Sequence, residues 1–184
     1  MDLQEKVVLV TGGAHRVGKA IALAFAGAGA HLVIHYGSSE DAAHATAREI
    51  KSLGVQALTL QADLADPAAI ADLFEAVRDR FGRLDVLVNS AANFIKQPFD
   101  EVTLDAWKDA MQVNLRAPFF CTQHAARLMR ATPRPTDQPA AIINIGDLAG
   151  VHPWRDFVQH GVAKAGLLHL TRISARELGP DVRV

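Results

Sequence analysis

Short apolar, β-branched runs alternate along the chain with longer segments whose apolar residues recur at helical spacing. The short runs predict strands over Lys6–Val10, His31–His35, Val55–Leu60, Leu84–Val88 and Ala141–Ile145. The longer patterns predict helices over Val17–Ala28, Glu40–Leu53, Pro67–Phe81, Thr103–Met129 and Phe157–Leu178. The breaks are punctuated accordingly: Gly29, Gly54 and Gly82 stand where helices end, and Asp66-Pro67 offers a cap followed by a first-turn proline. Regular strand–helix alternation implies right-handed crossovers, a parallel sheet and helices on both faces. Runs such as Leu84-Asp85-Val86-Leu87-Val88 suit a sheet buried on both sides. The expected fold class is therefore α/β, a single doubly wound domain over residues 1–184, with Ala131–Pro139 as an exposed loop inside it. Asp181-Val182-Arg183-Val184 reads as the opening of a further strand. The expectation is a C-terminally incomplete domain lacking its last strand or strands, as a fragment or a natural truncation.

Composition narrows the function classes. The 184 residues are 49% apolar and 21% charged, enough for one soluble domain with a core. A net charge of −1 gives no electrostatic footprint for nucleic acid or an anionic membrane, so neither is expected as a partner. No apolar run is long enough to span a bilayer, and the Met1–Lys6 start lacks the features of a signal peptide. Cys121 is the only cysteine, which excludes an internal disulfide and fits a cytoplasmic location. His31 and His35 are four apart on a strand, where that spacing is no chelate, and no HExxH occurs; no metal is expected.

The chemistry concentrates first in Thr11-Gly12-Gly13-Ala14-His15-Arg16-Val17-Gly18, between the first strand and the first helix. Strand, glycine turn, helix is the context of a dinucleotide site of Rossmann type. Gly12 allows a tight turn, Gly18 lets the helix approach closely, and the helix N-terminus aims N–H groups at a pyrophosphate. Arg16 stands where such loops usually carry a middle glycine and puts a guanidinium, suited to phosphate, in the mouth. After the second strand the chain reads His35-Tyr36-Gly37-Ser38-Ser39, with no acid before Glu40. NAD-selective folds place a carboxylate there for the ribose 2′-OH. Here a 2′-phosphate would meet Arg16, His35 and the Ser38 and Ser39 hydroxyls, so NADPH is expected over NADH, although the two serines also suit helix capping.

These motifs, with Asp63-Leu64, Leu87-Val88-Asn89-Ser90-Ala91, Val113-Asn114, Ile143-Asn144-Ile145 and Lys164 ahead of a helical run, resemble the short-chain dehydrogenase/reductase family from Lys6 to the last residue. Arg16, His35-Tyr36 and Asp147 make the chain most similar to the pteridine reductase-like branch. The resemblance implies that His15, Arg16, Val17 and Gly18 surround the cofactor phosphates. It implies that Asp63 and Leu64 lie against the adenine, and that Asn89, Ser90 and Ala91 approach the ribose. It implies a proton donor four residues before Lys164, with Lys164 holding the nicotinamide ribose. It implies a group at position 147 that polarises substrate, a relay water on the Asn114 carbonyl, and Phe94 stacked on a flat substrate.

One departure is large. The family's donor is a tyrosine, and here the position holds His160, while the sole tyrosine is Tyr36 in the cofactor region. The i, i+4 spacing puts His160 and Lys164 on one helix face. Imidazole titrates near neutrality, so His160 is expected to give the proton, with Asp147 favouring the imidazolium and Lys164 opposing it. Pro118 lacks an N–H for the carbonyl of Asn114, which supports the relay. The reading is an NADPH-dependent reductase of C=O or C=N bonds in a small, pterin-like substrate. Its long alanine- and leucine-rich helices suit a homodimer or homotetramer. The alternative is a catalytically impaired nucleotide-binding protein or an inactive fragment of such an enzyme.

Overall fold

In the computed structural model, which describes residues 2–135 and 138–184, the strands form one parallel sheet. They are β1 (Val7–Thr11), β2 (His31–Tyr36), β3 (Ala57–Gln61), β4 (Val86–Asn89), β5 (Ala140–Asn144) and β6 (Val182–Arg183). Their order is β3-β2-β1-β4-β5-β6. The connecting helices are α1 (Arg16–Gly27), α2 (Glu40–Ser52), α3 (Pro67–Phe81), α4 (Leu104–Met111), α5 (Ala117–Ala131) and α6 (Val158–Leu178). The doubly wound α/β architecture read from the pattern is the one observed. The C-terminal apolar run pairs with β5 as β6, with Ala140 opposite Val182. Thr136 and Asp137 of the expected 131–139 loop lie outside the described residues.

Strand alternation divides the core. Val7, Leu9 and Leu87 point to one face, where they meet Ile70, Leu73 and Phe74 of α3 and Cys121, Ala125 and Met129 of α5. Val8, Val10 and Val88 point to the other, against Ala22 and Ala26 of α1 and Ala43 and Ile50 of α2. Alanines on the facing helices let them sit close to bulky β-branched strand residues. Burial pushes the Cys121 thiol up to about 12, so it behaves as a small hydrophobe. Asp85 is buried at the end of the sheet away from the glycine turn. It accepts from the Val7 N–H at 3.0 Å and from Arg83 at 2.7 and 2.9 Å, which compensates its desolvation.

The single helix expected over Thr103–Met129 is two, α4 and α5, joined by a π-helical turn at Gln112–Arg116. The reason is Pro118. With no N–H for the carbonyl four residues back, the ladder widens, and Ala117 N–H bonds Gln112 C=O instead. The same turn carries Asn114 inward, where it is 1% exposed.

Candidate active site

The sheet order reverses between β1 and β4, and a doubly wound sheet opens a crevice at the carboxyl ends of such a pair. A cleft of 1210 Å³ lies there, running from the glycine turn to α6. Its first wall is main chain. Gly12 sits at φ +64°, and a Cβ there would come within 2.9 Å of the Ala91 backbone. A Cβ at Gly18 would overlap the Gly12 carbonyl, so α1 can start this close to β1 only with glycine. Thr11 fastens the turn to the β4 end, its Oγ1 accepting from the Ser90 and Ala91 N–H groups at 3.0 and 3.1 Å. His15, Arg16 and Val17 line the mouth above.

Arg16 adopts φ +52°, a left-handed conformation costly for a residue with a Cβ. Such strain persists where the surrounding structure imposes it, and it gathers at ligand-binding sites. Opposite stand Ser38 and Ser39. Ser39 occupies the cap position of α2, yet its hydroxyl makes no capping bond. Asp63 lines the same end; its Oδ1 accepts from Ala65 N–H at 2.8 Å, so it shapes a turn as well as the wall. Leu64, Ser90 and Ala91 complete this half.

Three expected cofactor contacts are placed differently. His35 lines the cleft, but its Nδ1 accepts from Gly12 N–H at 3.1 Å and its Nε2 donates to Ala62 C=O at 3.0 Å. Both ring nitrogens are committed to protein, so His35 pins the glycine turn to the end of β3 and has none left for a 2′-phosphate. Burial holds its pKa below the ordinary histidine value, against the Ala62 bond. Tyr36 is absent from the cleft wall: its ring is buried and leans on His44 at 6.4 Å. Strand alternation turns it to the α2 side. Asn89 is buried too, its Nδ2 donating to Asn144 Oδ1 at 2.8 Å, while Asn144 Nδ2 donates to Thr171 on α6 at 2.9 Å. Asn89 therefore ties β4 to β5 and α6.

At the other end, α6 presents His160 and Lys164 on one face, 2% and 5% exposed, both on the cleft. Lys164 Nζ donates to Ile145 C=O at 2.7 Å. Burial lowers its pKa from the ordinary lysine value, and the Asp147 carboxylate works in the opposite direction. Asp147 caps a short 3-10 turn, accepting from Ala149 N–H at 2.8 Å, and its Oδ2 lies 3.3 Å from His160 Nε2. Burial acts to raise its pKa, but the Ala149, His160 and Lys164 interactions outweigh that and hold it low. On the far side of the imidazole, Asn114 Nδ2 lies 3.4 Å from Nδ1. Asn114 is therefore beside the donor position through its side chain and not on the cleft wall.

A strap after β4 closes this half. Phe94 stacks on Phe157 at 4.3 Å and meets His160 edge-on at 4.7 Å, yet is 55% exposed. Gln159 donates to Ile95 C=O at 3.0 Å, and Gln97 N–H to Asp156 C=O at 2.8 Å, locking the strap to α6. Trp154 adds a second open aromatic surface, 41% exposed. Sequence reasoning missed Trp154 and Asn93: no motif marks either, though a tryptophan beside Pro153 just ahead of the His160 helix is a usable signal.

Residues 6–184 match the family model for short chain dehydrogenases. A short chain dehydrogenase/reductase of Colletotrichum higginsianum is 36% identical over 97% of the chain and 65% of its own length. A 3-oxoacyl-[acyl-carrier-protein] reductase of Synechocystis is 34% identical over 96% of the chain and 69% of its own length. The crystal structure of a short chain dehydrogenase from Burkholderia cenocepacia in complex with NADP superposes with a TM-score of 0.91 at 36% identity, covering 100% of this chain and 73% of that one. The chain thus spans about two thirds of the length of the curated relatives it matches.

Proposed function

The chain belongs to the short-chain dehydrogenase family, and from that membership we propose that it is an NADPH-dependent reductase of a C=O or C=N bond in a small molecule. The observation that carries the cofactor choice is the phosphate end of the cleft. There a strained Arg16 faces the Ser38 and Ser39 side of the cleft, and the Ser39 hydroxyl makes no cap bond. No carboxylate follows β2 before Glu40 to repel a 2′-phosphate. The Burkholderia relative holds NADP, which supports the same choice.

The glycine turn and the α1 N-terminus hold the pyrophosphate, Asp63 and Leu64 border the adenine, and Lys164 holds the nicotinamide ribose. Bound NADPH supplies a hydride. Asp147 and His160 orient the substrate oxygen or nitrogen, Asn114 positions His160, and the group handles the accompanying proton. Phe94 and Trp154 offer flat apolar surfaces, which suits a planar, pterin-like substrate and the pteridine reductase-like branch; such stacking contributes about 0.5–1.5 kcal/mol beyond burial. Leu104 on α4, Phe119 on α5 and Val162 and Ile173 on α6 are exposed apolar residues, and they suit pairing of these helices across a two-fold axis into a homodimer. Light scattering at micromolar concentration checks the dimer, and a folded monomer refutes it.

The test of function is turnover. The purified protein is incubated with NADPH and a panel of ketones, 3-oxoacyl thioesters, quinones and pterins, and loss of NADPH absorbance is followed. Substrate-dependent oxidation is expected. NADPH binding with no turnover on any carbonyl or imine would contradict the reading.

A further inference from the structure

The hydrogen bonds around His160 fix its tautomer. Asn93 N–H donates to Asn114 Oδ1 at 2.9 Å, and a backbone N–H cannot face an NH2 group, so the amide orientation of Asn114 is determined. Its Nδ2 donates to Asn93 O and Oδ1 at 3.0 and 2.9 Å and lies 3.4 Å from His160 Nδ1. An amide nitrogen accepts nothing. Nδ1 is therefore the acceptor, and the proton of the ring sits on Nε2. That atom is buried, lies 3.3 Å from Asp147 Oδ2, and has no well-directed partner. A proton added at Nδ1 would set two N–H groups against each other in a site closed to water. A proton surrendered from Nε2 would leave an imidazolate beside the Asp147 carboxylate.

We infer that His160 acts as a neutral hydrogen-bond donor through Nε2 and that the proton is delivered from the Lys164 ammonium. The inference rests on the reductase reading. Lys164 has three donors, of which Ile145 C=O takes one. The charged groups facing His160 are Asp147, from the 3-10 turn, and Lys164, from its own helix. The strap presents Asn93 and Phe94, and its Lys96 pairs with Asp156 at 3.7 Å. When the carbonyl carbon gains a hydride, the C=O π pair becomes an alkoxide lone pair, polarised by the His160 N–H. The alkoxide then takes one proton from Nζ, and the resulting neutral amine regains a proton from water in the cleft. A neutral imidazole used as an electrophile is established chemistry, and burial makes the lysine a stronger acid than it is in water.

The first experiment needs no cofactor. Imidazole 15N spectra of the histidine-labelled protein at pH 7, with the His160 signals assigned by their loss in His160→Gln, should show Nδ1 bare and Nε2 protonated. Asn114→Asp, which replaces the donor by an acceptor, should put protons on both nitrogens. A doubly protonated ring in the wild type overturns the inference. The second experiment is kinetic. His160→Gln keeps a neutral N–H donor and should keep kcat within about tenfold with the same alkaline limb, whereas Lys164→Gln should lose about a hundred- to ten-thousandfold. The reverse pattern makes His160 the acid and overturns the inference. NADPH fluorescence titration separates the two readings: no NADPH binding sinks the functional reading and leaves the tautomer to the spectrum. A wild type that binds NADPH and reduces nothing overturns the role of Lys164.

Discussion

The two ends of the cleft are built from different materials. The phosphate end is main chain: a glycine turn at φ +64°, N–H groups held by Thr11, and a histidine spent on bonding two backbone groups. The reaction end is side chain: His160, Asp147, Asn114, Lys164 and open aromatic rings. A backbone cradle needs small residues at fixed spacing, and almost any other substitution closes it. A side-chain constellation can exchange one proton-bearing group for another while the scaffold stays put. That is where this chain departs from its family, with histidine four residues before the lysine.

Breaking the reaction end should have the largest effect. Lys164→Met should cost about a hundred- to ten-thousandfold in kcat, measured by NADPH oxidation. The wild-type pH profile sharpens the point. The donating form is the protonated amine, which is lost as pH rises through its pKa, and burial sets that pKa below 10.5. Activity should therefore fall at a pH lower than 10.5, and a plateau extending past that value would rule the amine out.

The phosphate end should yield smaller, more local losses. Arg16→Ala removes a charged donor and should weaken NADPH by about 1.5–3 kcal/mol while leaving NADH nearly unchanged; isothermal titration with both cofactors reads the difference. Gly18→Ala drives a Cβ into the Gly12 carbonyl and should destabilise the fold by about 1–3 kcal/mol in urea denaturation.

The smallest effect is a pH dependence at His35. Its folded-state pKa is depressed by burial below the ordinary 6.5, so the folded state binds fewer protons than the unfolded. The stabilisation is complete above 6.5 and is lost as pH falls through the lower folded-state value. Urea midpoints should therefore drop on acidification below that value, and His35→Gln should flatten the acid limb by on the order of 1 kcal/mol. An unchanged acid limb in the variant would show that the Gly12 and Ala62 bonds do not govern it.

Much of this contrast is visible in the residues themselves. Alternation of apolar runs located the strands, and β1, β2 and β4 fall within two residues of their expected limits because buried parallel strands are continuous apolar runs. The glycine turn was readable because its spacing is its mechanism. Pro118 announced a disturbance near Asn114, but a π-turn and a smooth kink share the same apolar spacing, so the helix was read as one. His35 and Tyr36 were read as cofactor contacts because position after β2 says nothing about which way a ring points or whether its nitrogens are already bonded. Trp154 and Asn93 come together with His160 only through the packing of the strap on α6, contacts between residues as far apart as Ile95 and Gln159 that no local pattern encodes.

The most direct measurement is the affinity of the wild-type protein for NADPH and for NADH, titrated side by side by nicotinamide fluorescence at neutral pH. A strained Arg16 facing the two serines, with no carboxylate after β2, should make NADPH the tighter ligand by about tenfold or more, since about 1.4 kcal/mol is a factor of ten. Equal affinities, or a preference for NADH, would contradict the assignment of that end of the cleft to a 2′-phosphate.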